Sequence, residues 1–112
     1  MTDDERIGIW LRFHEVVNVS GSELEAWLQT DESLAVGQKP DGGESIGHAS
    51  GRRIVSLLRT PARDLTEADY RHMRKVVGYV HRHLAQRPRG DVTETRWRYS
   101  LLNWGHEPLR SL

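Results

Sequence analysis

The chain has 112 residues, 37% hydrophobic and 29% charged, with no cysteine and with 16 basic side chains balanced by 16 acidic ones. That length suits a single domain able to bury a modest core without metals, and the lack of cysteine excludes a disulfide framework and thiol chemistry. The start, MTDDERIGIWLRF, is acidic where a signal peptide would be basic, and no apolar run approaches the roughly 20 residues of a membrane span, so a soluble cytoplasmic protein without a membrane partner is expected.

The balanced charge is unevenly placed. Residues 1–47 carry 10 Asp/Glu against 3 Lys/Arg, and residues 48–112 carry 6 against 13. Two such halves either neutralise each other across the fold or leave a basic surface that seeks anions. Arginine outnumbers lysine 14 to 2, which suits bidentate contacts to carboxylates or phosphates.

In chain order, Asp3 to Val17 reads as a first helix, with Asp3, Asp4 and Glu5 at the positive end of its dipole. Ile7, Trp10, Leu11 and Val17 keep the helical period, and Phe13 and Val16 widen the apolar face. Ser20 and Glu23 have capping-box spacing, which predicts a second helix from Gly21 to Gln29 burying Leu24, Trp27 and Leu28. The pair superficially resembles a helix-turn-helix, but Glu23 and Glu25 give the second helix the wrong sign for lying in a DNA groove. Thr30 to Val36 reads as one more short turn, with Leu34 and Val36 docking inward. Gly37 to Ser45, GQKPDGGES, is the clearest loop, and it lacks the spacing of a nucleotide-binding P-loop.

Ser45 to Arg59 reads as the next substantial helix, with Ile54, Leu57 and Leu58 on its core face. Gly47 and Gly51, four apart, cost helical stability unless another backbone approaches closely there. Either Ser45 or Ser50 could cap it. A start at Ser50 would place Arg52 and Arg53 at a helix N-terminus, where backbone N–H groups and guanidinium groups could share an anion.

Thr66 to Arg87 holds the longest uninterrupted helical period. Thr66 and Asp69 form a weaker capping box, and Pro88 and Gly90 stop the helix. Tyr70, Met73, Val77, Val80 and Leu84 form its apolar stripe, while Arg71, Lys75, Tyr79, Arg82 and Gln86 fall opposite. His72, His81 and His83 lack the spacing and partners of a zinc site, so no metal is expected. Histidines titrating on a basic face would strengthen anion binding below about pH 6.5. A last helix from Val92 to Trp104 buries Trp97, Leu101, Leu102 and Trp104, with Arg96 and Arg98 flanking Trp97 and Gly105 at the C′ position. Interleaved arginine and aromatic residues can stack bases, although tryptophans at this spacing are more often core.

The expected fold is therefore all-α: one domain over residues 1–112, a compact orthogonal bundle of four main helices plus one short helix. Its core is expected to hold Trp10, Phe13, Trp27, Leu57, Met73, Val77, Val80, Leu84, Trp97, Leu101 and Trp104.

FHEVVNVSGSELEAWLQT, GHASGRRIVSLLR, DLTEADYRHMRKVVGYVHRHLAQRP and RWRYSLLNWGHEPL together resemble a small bacterial and fungal family catalogued as a domain of unknown function, the 3140 family. Some members carry a DNA-binding label. The resemblance implies DNA as a partner and supplies no catalytic or ligand residues.

Two functions follow as expectations. The first is nucleic-acid binding, with Arg52, Arg53, Arg71, Lys75 and Arg82 on phosphates and Tyr79 and Gln86 beside them. About five such contacts would give a log–log salt slope near −4 to −5 on duplex DNA. The second is an interaction module joining acidic and basic regions to a protein partner or a second copy, with Tyr79 or an incompletely buried tryptophan as anchor. No nucleophile–base–orienter set and no cofactor fingerprint is legible, so neither an enzyme nor a cofactor is expected.

Overall fold

Each α-helix among the described residues begins on a serine or threonine whose side-chain oxygen accepts a backbone N–H from the first turn, satisfying a donor that has no partner inside the helix. A computed structural model describes residues 1–110. Thr2 caps α1 (Asp3–Val16), Ser20 caps α2 (Gly21–Trp27), Thr30 caps α3 (Asp31–Ala35) and Ser45 caps α4 (Ile46–Leu58). A 3-10 turn follows at Ala62–Asp64, then Thr66 caps α5 (Glu67–Leu84) and Thr95 caps α6 (Arg96–Asn103). At Thr2, Ser20 and Thr66 the residue three places on returns the bond, completing full capping boxes. The protein is all-α, with no strand among the described residues.

The cap at Ser45 decides between the two starts open for α4. Ser45 Oγ accepts the His48 N–H at 2.9 Å, so Gly51, Arg52 and Arg53 lie inside the helix and not at its N-terminus. Ser50 is buried instead, with its hydroxyl 2.9 Å from His72 Nε2. α6 is likewise shorter than Val92–Trp104. Thr95 starts it, and Val92 is buried in the strap that leads in.

α1 packs along α5, while α6 touches α2, α3, α4 and α5. The last helix, not the long central one, is the piece on which the others converge. α5 contributes Tyr70, Met73, Val76 and Val80 to the core, with Val77 and Leu84 half-buried at the margin. Val76 thus takes the deep position expected of Val77. In α1 the buried seam is Ile9, Phe13 and Val16, at i, i+4 and i+7, followed by Val17. Ile7 and Leu11 are 58% and 57% exposed, contrary to their expected place in the core face. Apolar residues wrap so widely around α1 that one partner helix covers only part of them. Trp10 and Trp27 pack half-buried against the core, whereas Trp97 and Trp104 are buried within it.

Around α3, Val36 is buried as expected but Leu34 is not. Leu34 is exposed and Ser33 buried, because Ser33 meets a polar hub on α6. Asn103 Oδ1 accepts Ser33 Oγ–H at 2.5 Å and Trp27 Nε1–H at 2.8 Å, and Asn103 Nδ2 donates to the Ser33 carbonyl at 3.1 Å. Both oxygen lone pairs and one amide proton are satisfied, so this buried amide ties α2, α3 and α6 together.

Two close approaches set how α4 meets α6. A Cβ on Gly51 would stand 2.6 Å from the Asn103 carbonyl oxygen, and one on Gly47 would stand 2.9 Å from Trp104 Nε1. Beyond α6, Gly105 takes φ +80°. Its N–H reaches Leu102 O and that of His106 reaches Leu101 O, both at 2.9 Å, closing a Schellman turn. The returning chain is clamped by Asn18, which accepts the Glu107 N–H at 2.7 Å and donates to the Glu107 carbonyl at 3.0 Å. Among the described residues no helix is long and apolar enough to cross a membrane.

Candidate nucleic-acid interface

The seven residues expected at an anion site divide into two groups. Arg52, Arg53 and Arg71 are each held by a carboxylate. Arg52 makes a two-pronged bond to Glu44 at 2.5 and 2.7 Å, Arg53 reaches Asp69 at 3.2 Å, and Arg71 reaches Glu67 at 3.3 Å along one face of α5. The Arg52 guanidinium, with His48 second, holds the Glu44 carboxyl down at about 2.

Lys75, Tyr79, Arg82 and Gln86 come together. With His83 they line a groove of about 570 Å³, whose other lining residues are Arg96 and Ser100 of α6, Trp104 at its C-cap, and Gly37, Gln38, Ile46 and Gly47. The i, i+4, i+7 and i+11 spacing of the α5 residues puts them on one face. The groove's lining contains no Asp or Glu. Lys75, Arg82 and Arg96 are all exposed, and none forms an ion pair with a carboxylate among the described residues. Arg96 donates to the Ala35 carbonyl at 3.2 Å, which anchors its fork at the rim. Its neighbour Arg98 is taken by Glu107.

Tyr79 is not a free platform. Its ring stacks on Trp104 at 4.2 Å and on His83 at 5.2 Å, so both faces are occupied. The row continues from His83 to Trp97 at 6.2 Å and from Trp104 to His72 at 6.4 Å, and the Arg87 guanidinium lies over Trp97. Burial pushes the Tyr79 hydroxyl up, and a hydrogen bond with Ser100 and the charge of Arg82 draw it back. The groove therefore receives the edge and hydroxyl of Tyr79, not an open ring face.

His72 does not supply the charge expected of it below pH 6.5. Burial, aided by Arg53 and then Lys75 and opposed by Asp69, pushes His72 down to about 4. Burial also lowers His83, whose Nε2 is buried without a hydrogen-bond partner while its carbonyl accepts Trp97 Nε1–H at 2.6 Å. The His72 ring is neutral at pH 6, and the lysine and arginine charge of the groove belongs to Lys75, Arg82 and Arg96.

Sequence reasoning noted Arg96 only as a neighbour of Trp97 and did not join it to Lys75 and Arg82. Arg96 lies in the first turn of α6 and the other two near the middle and end of α5, so only the packing of the two helices brings them together. Gly47 and Trp104 carried a clearer signal. A glycine in the first turn of a helix, opposite a terminal tryptophan that packs close, marks a point of near contact.

A family described as "Protein of unknown function (DUF3140)" matches residues 12–102. No curated protein and no solved structure matches the chain.

Proposed function

The chain belongs to that family of unknown function, and we propose from the groove that it binds nucleic acid through phosphate contacts made by Lys75, Arg82 and Arg96. The observation that carries this reading is the concentration of three exposed cations, none paired to a carboxylate, around a groove with no acidic residue in its lining. A cation already bound to a carboxylate must break that pair before it can serve a phosphate. Lys75, Arg82 and Arg96 meet no such competition, and Arg52, Arg53 and Arg71 do. Gln86 adds a neutral donor and acceptor at the mouth.

Contacts of this kind position a protein on a duplex without reading its sequence. Three phosphates neutralised give a log–log salt slope of about −2.7 on B-DNA, shallower than five arginine and lysine contacts would give. Titrating a duplex of mixed sequence at two salt concentrations tests this. The expected result is binding at low salt with that slope and little preference between sequences, and a duplex that does not bind at low salt would end the proposal.

A second reading draws on a different face. Ile7 and Leu11 stand exposed beside half-buried Trp10, over a hollow shared with Leu65 and Tyr70. Apolar side chains grouped in this way suit a protein partner.

A further inference from the structure

We propose that the inner end of the groove is a seat for a single phosphate group, built from the Gly47 backbone N–H and the Trp104 indole N–H and neutralised by Lys75, Arg82 and Arg96. The seat lies within the groove read above as the nucleic-acid surface and rests on that reading for its setting. What it adds is a defined pair of donors and a ligand chemistry.

The argument begins with Gly47. It is the second residue of α4, where the backbone N–H has no carbonyl partner one turn back. Its neighbours are satisfied: the Ile46 N–H reaches the Gln38 carbonyl at 2.9 Å and the His48 N–H reaches Ser45 Oγ at 2.9 Å. The Gly47 N–H has no such acceptor among the described residues, and Gly47 lines the groove. The 13-residue helix behind it adds the positive end of its dipole.

Trp104 supplies the independent observation. The residue is only 3% exposed, yet its Nε1–H donates to no acceptor among the described residues, whereas the indoles of Trp27 and Trp97 both do. Trp104 also lines the groove, and its Nε1 lies so near Gly47 that any Cβ there would be 2.9 Å away. The side chain is buried but its Nε1 keeps some exposure toward the groove, so the N–H is open to a ligand. Here the unsatisfied indole and the unsatisfied helix amide sit side by side, and the absence of a side chain on Gly47 is what leaves both accessible. Glu44, the carboxylate nearest in sequence, is held by Arg52 and His48 and takes no part in the groove's lining. Two adjacent N–H donors, three exposed cations without a carboxylate partner and no acidic residue in the lining match the oxygens of a phosphate.

The phosphate could belong to a strand end, to the interior of a strand or to a phosphorylated small molecule. Amide and indole N–H resonances of the full chain, followed by NMR during a titration with inorganic phosphate at pH 7.5 and constant ionic strength, address the shared chemistry. The expected result is saturable displacement of the Gly47 and Trp104 Nε1 signals ahead of all others. Displacement spread evenly over the basic surface without saturation, or none at Gly47 and Trp104, overturns the seat, even if a duplex binds elsewhere on the protein.

Trp104→Phe keeps a ring to stack on Tyr79 and removes the indole donor, so phosphate affinity should fall about tenfold. Lys75→Gln, at an exposed position, gives a second variant that leaves the core intact and should weaken phosphate several-fold. An oligonucleotide compared with and without a 5′-phosphate identifies the source once the seat is established. Tighter binding of the phosphorylated strand assigns a strand end, and equal binding assigns an internal phosphate or a small molecule. Failure of the duplex alone, with saturable phosphate binding intact, would remove the nucleic-acid reading and leave the seat.

Discussion

Gly51 and Gly78 both sit inside helices, where alanine is intrinsically better by about 1 kcal/mol, yet their surroundings give opposite signs. A Cβ on Gly51 would meet the Asn103 carbonyl at 2.6 Å and Leu28 Cδ2 at 2.7 Å, whereas one on Gly78 would meet only the guanidinium tip of Arg82 at 3.0 Å. Gly51→Ala should therefore destabilise by about 2 kcal/mol, and Gly78→Ala should be neutral or stabilising, both read by urea unfolding. A stabilised Gly51→Ala protein would mean that α4 and α6 do not touch there. The spacing of Gly47 and Gly51 made a close approach legible in the sequence, because no helix tolerates two such residues without cause. The Ser33–Asn103–Trp27 hub was not legible, since a buried amide declares itself only when the three helices that satisfy it are in place.

His72 gives a second prediction at this scale. Its folded value of about 4 lies below the ordinary 6.5, so between those limits the unfolded chain binds the extra proton. Stability contributed by the neutral ring is complete above about pH 6.5 and is lost as the pH falls toward 4. The loss, discounted because the ring is only half-buried, is no more than about 2 kcal/mol. Urea midpoints at pH 7 and pH 5 should draw closer together in His72→Gln than in the parent, and an unchanged gap would refute the assignment. Burial lowers His14 and His83 as well, so part of the slope will persist.

Among the elements, α1 shows where periodicity stops short. Its apolar residues occupy more than half of the helix circumference, so pattern alone cannot choose the face; α5 chooses it by covering Ile9, Phe13 and Val16. Changing Ile7 and Leu11 together to Glu should alter stability by no more than about 0.5 kcal/mol. Phe13→Ala should cost about 3–5 kcal/mol. A collapse of the double Glu variant would return Ile7 and Leu11 to the core. If the parent instead shows a concentration-dependent mass by light scattering that this variant abolishes, α1 is a self-association face. Helices with an unambiguous cap and one apolar stripe, such as α5 behind Thr66 and Asp69, were readable almost to their ends. α6 was not, because Thr95 caps it three residues inside the stretch expected to begin at Val92.

At the scale of the whole molecule, the acidic and basic halves largely answer each other. Glu5 pairs with Arg74, Glu23 with Arg110, Glu25 with Arg59 and Glu44 with Arg52, each a carboxylate of the first half on an arginine of the second. Exposed pairs of this kind stabilise weakly, but they remove those arginines from the supply of free charge. Among the described residues the cations left without a carboxylate include Arg6, Arg12, Lys39, Arg63, Arg87 and Arg89, but three others, Lys75, Arg82 and Arg96, gather at the groove between α5 and α6. The count of basic residues in the sequence could not reveal this, because it does not say which cations already have partners. The most direct measurement compares two triple variants in a low-salt duplex titration, with helicity checked by circular dichroism. Lys75, Arg82 and Arg96 changed to Ala should abolish the salt-dependent binding, while Arg52, Arg53 and Arg71 changed to Ala should retain most of it. Equal loss from both sets, or no binding by the parent protein, would contradict the groove as the site.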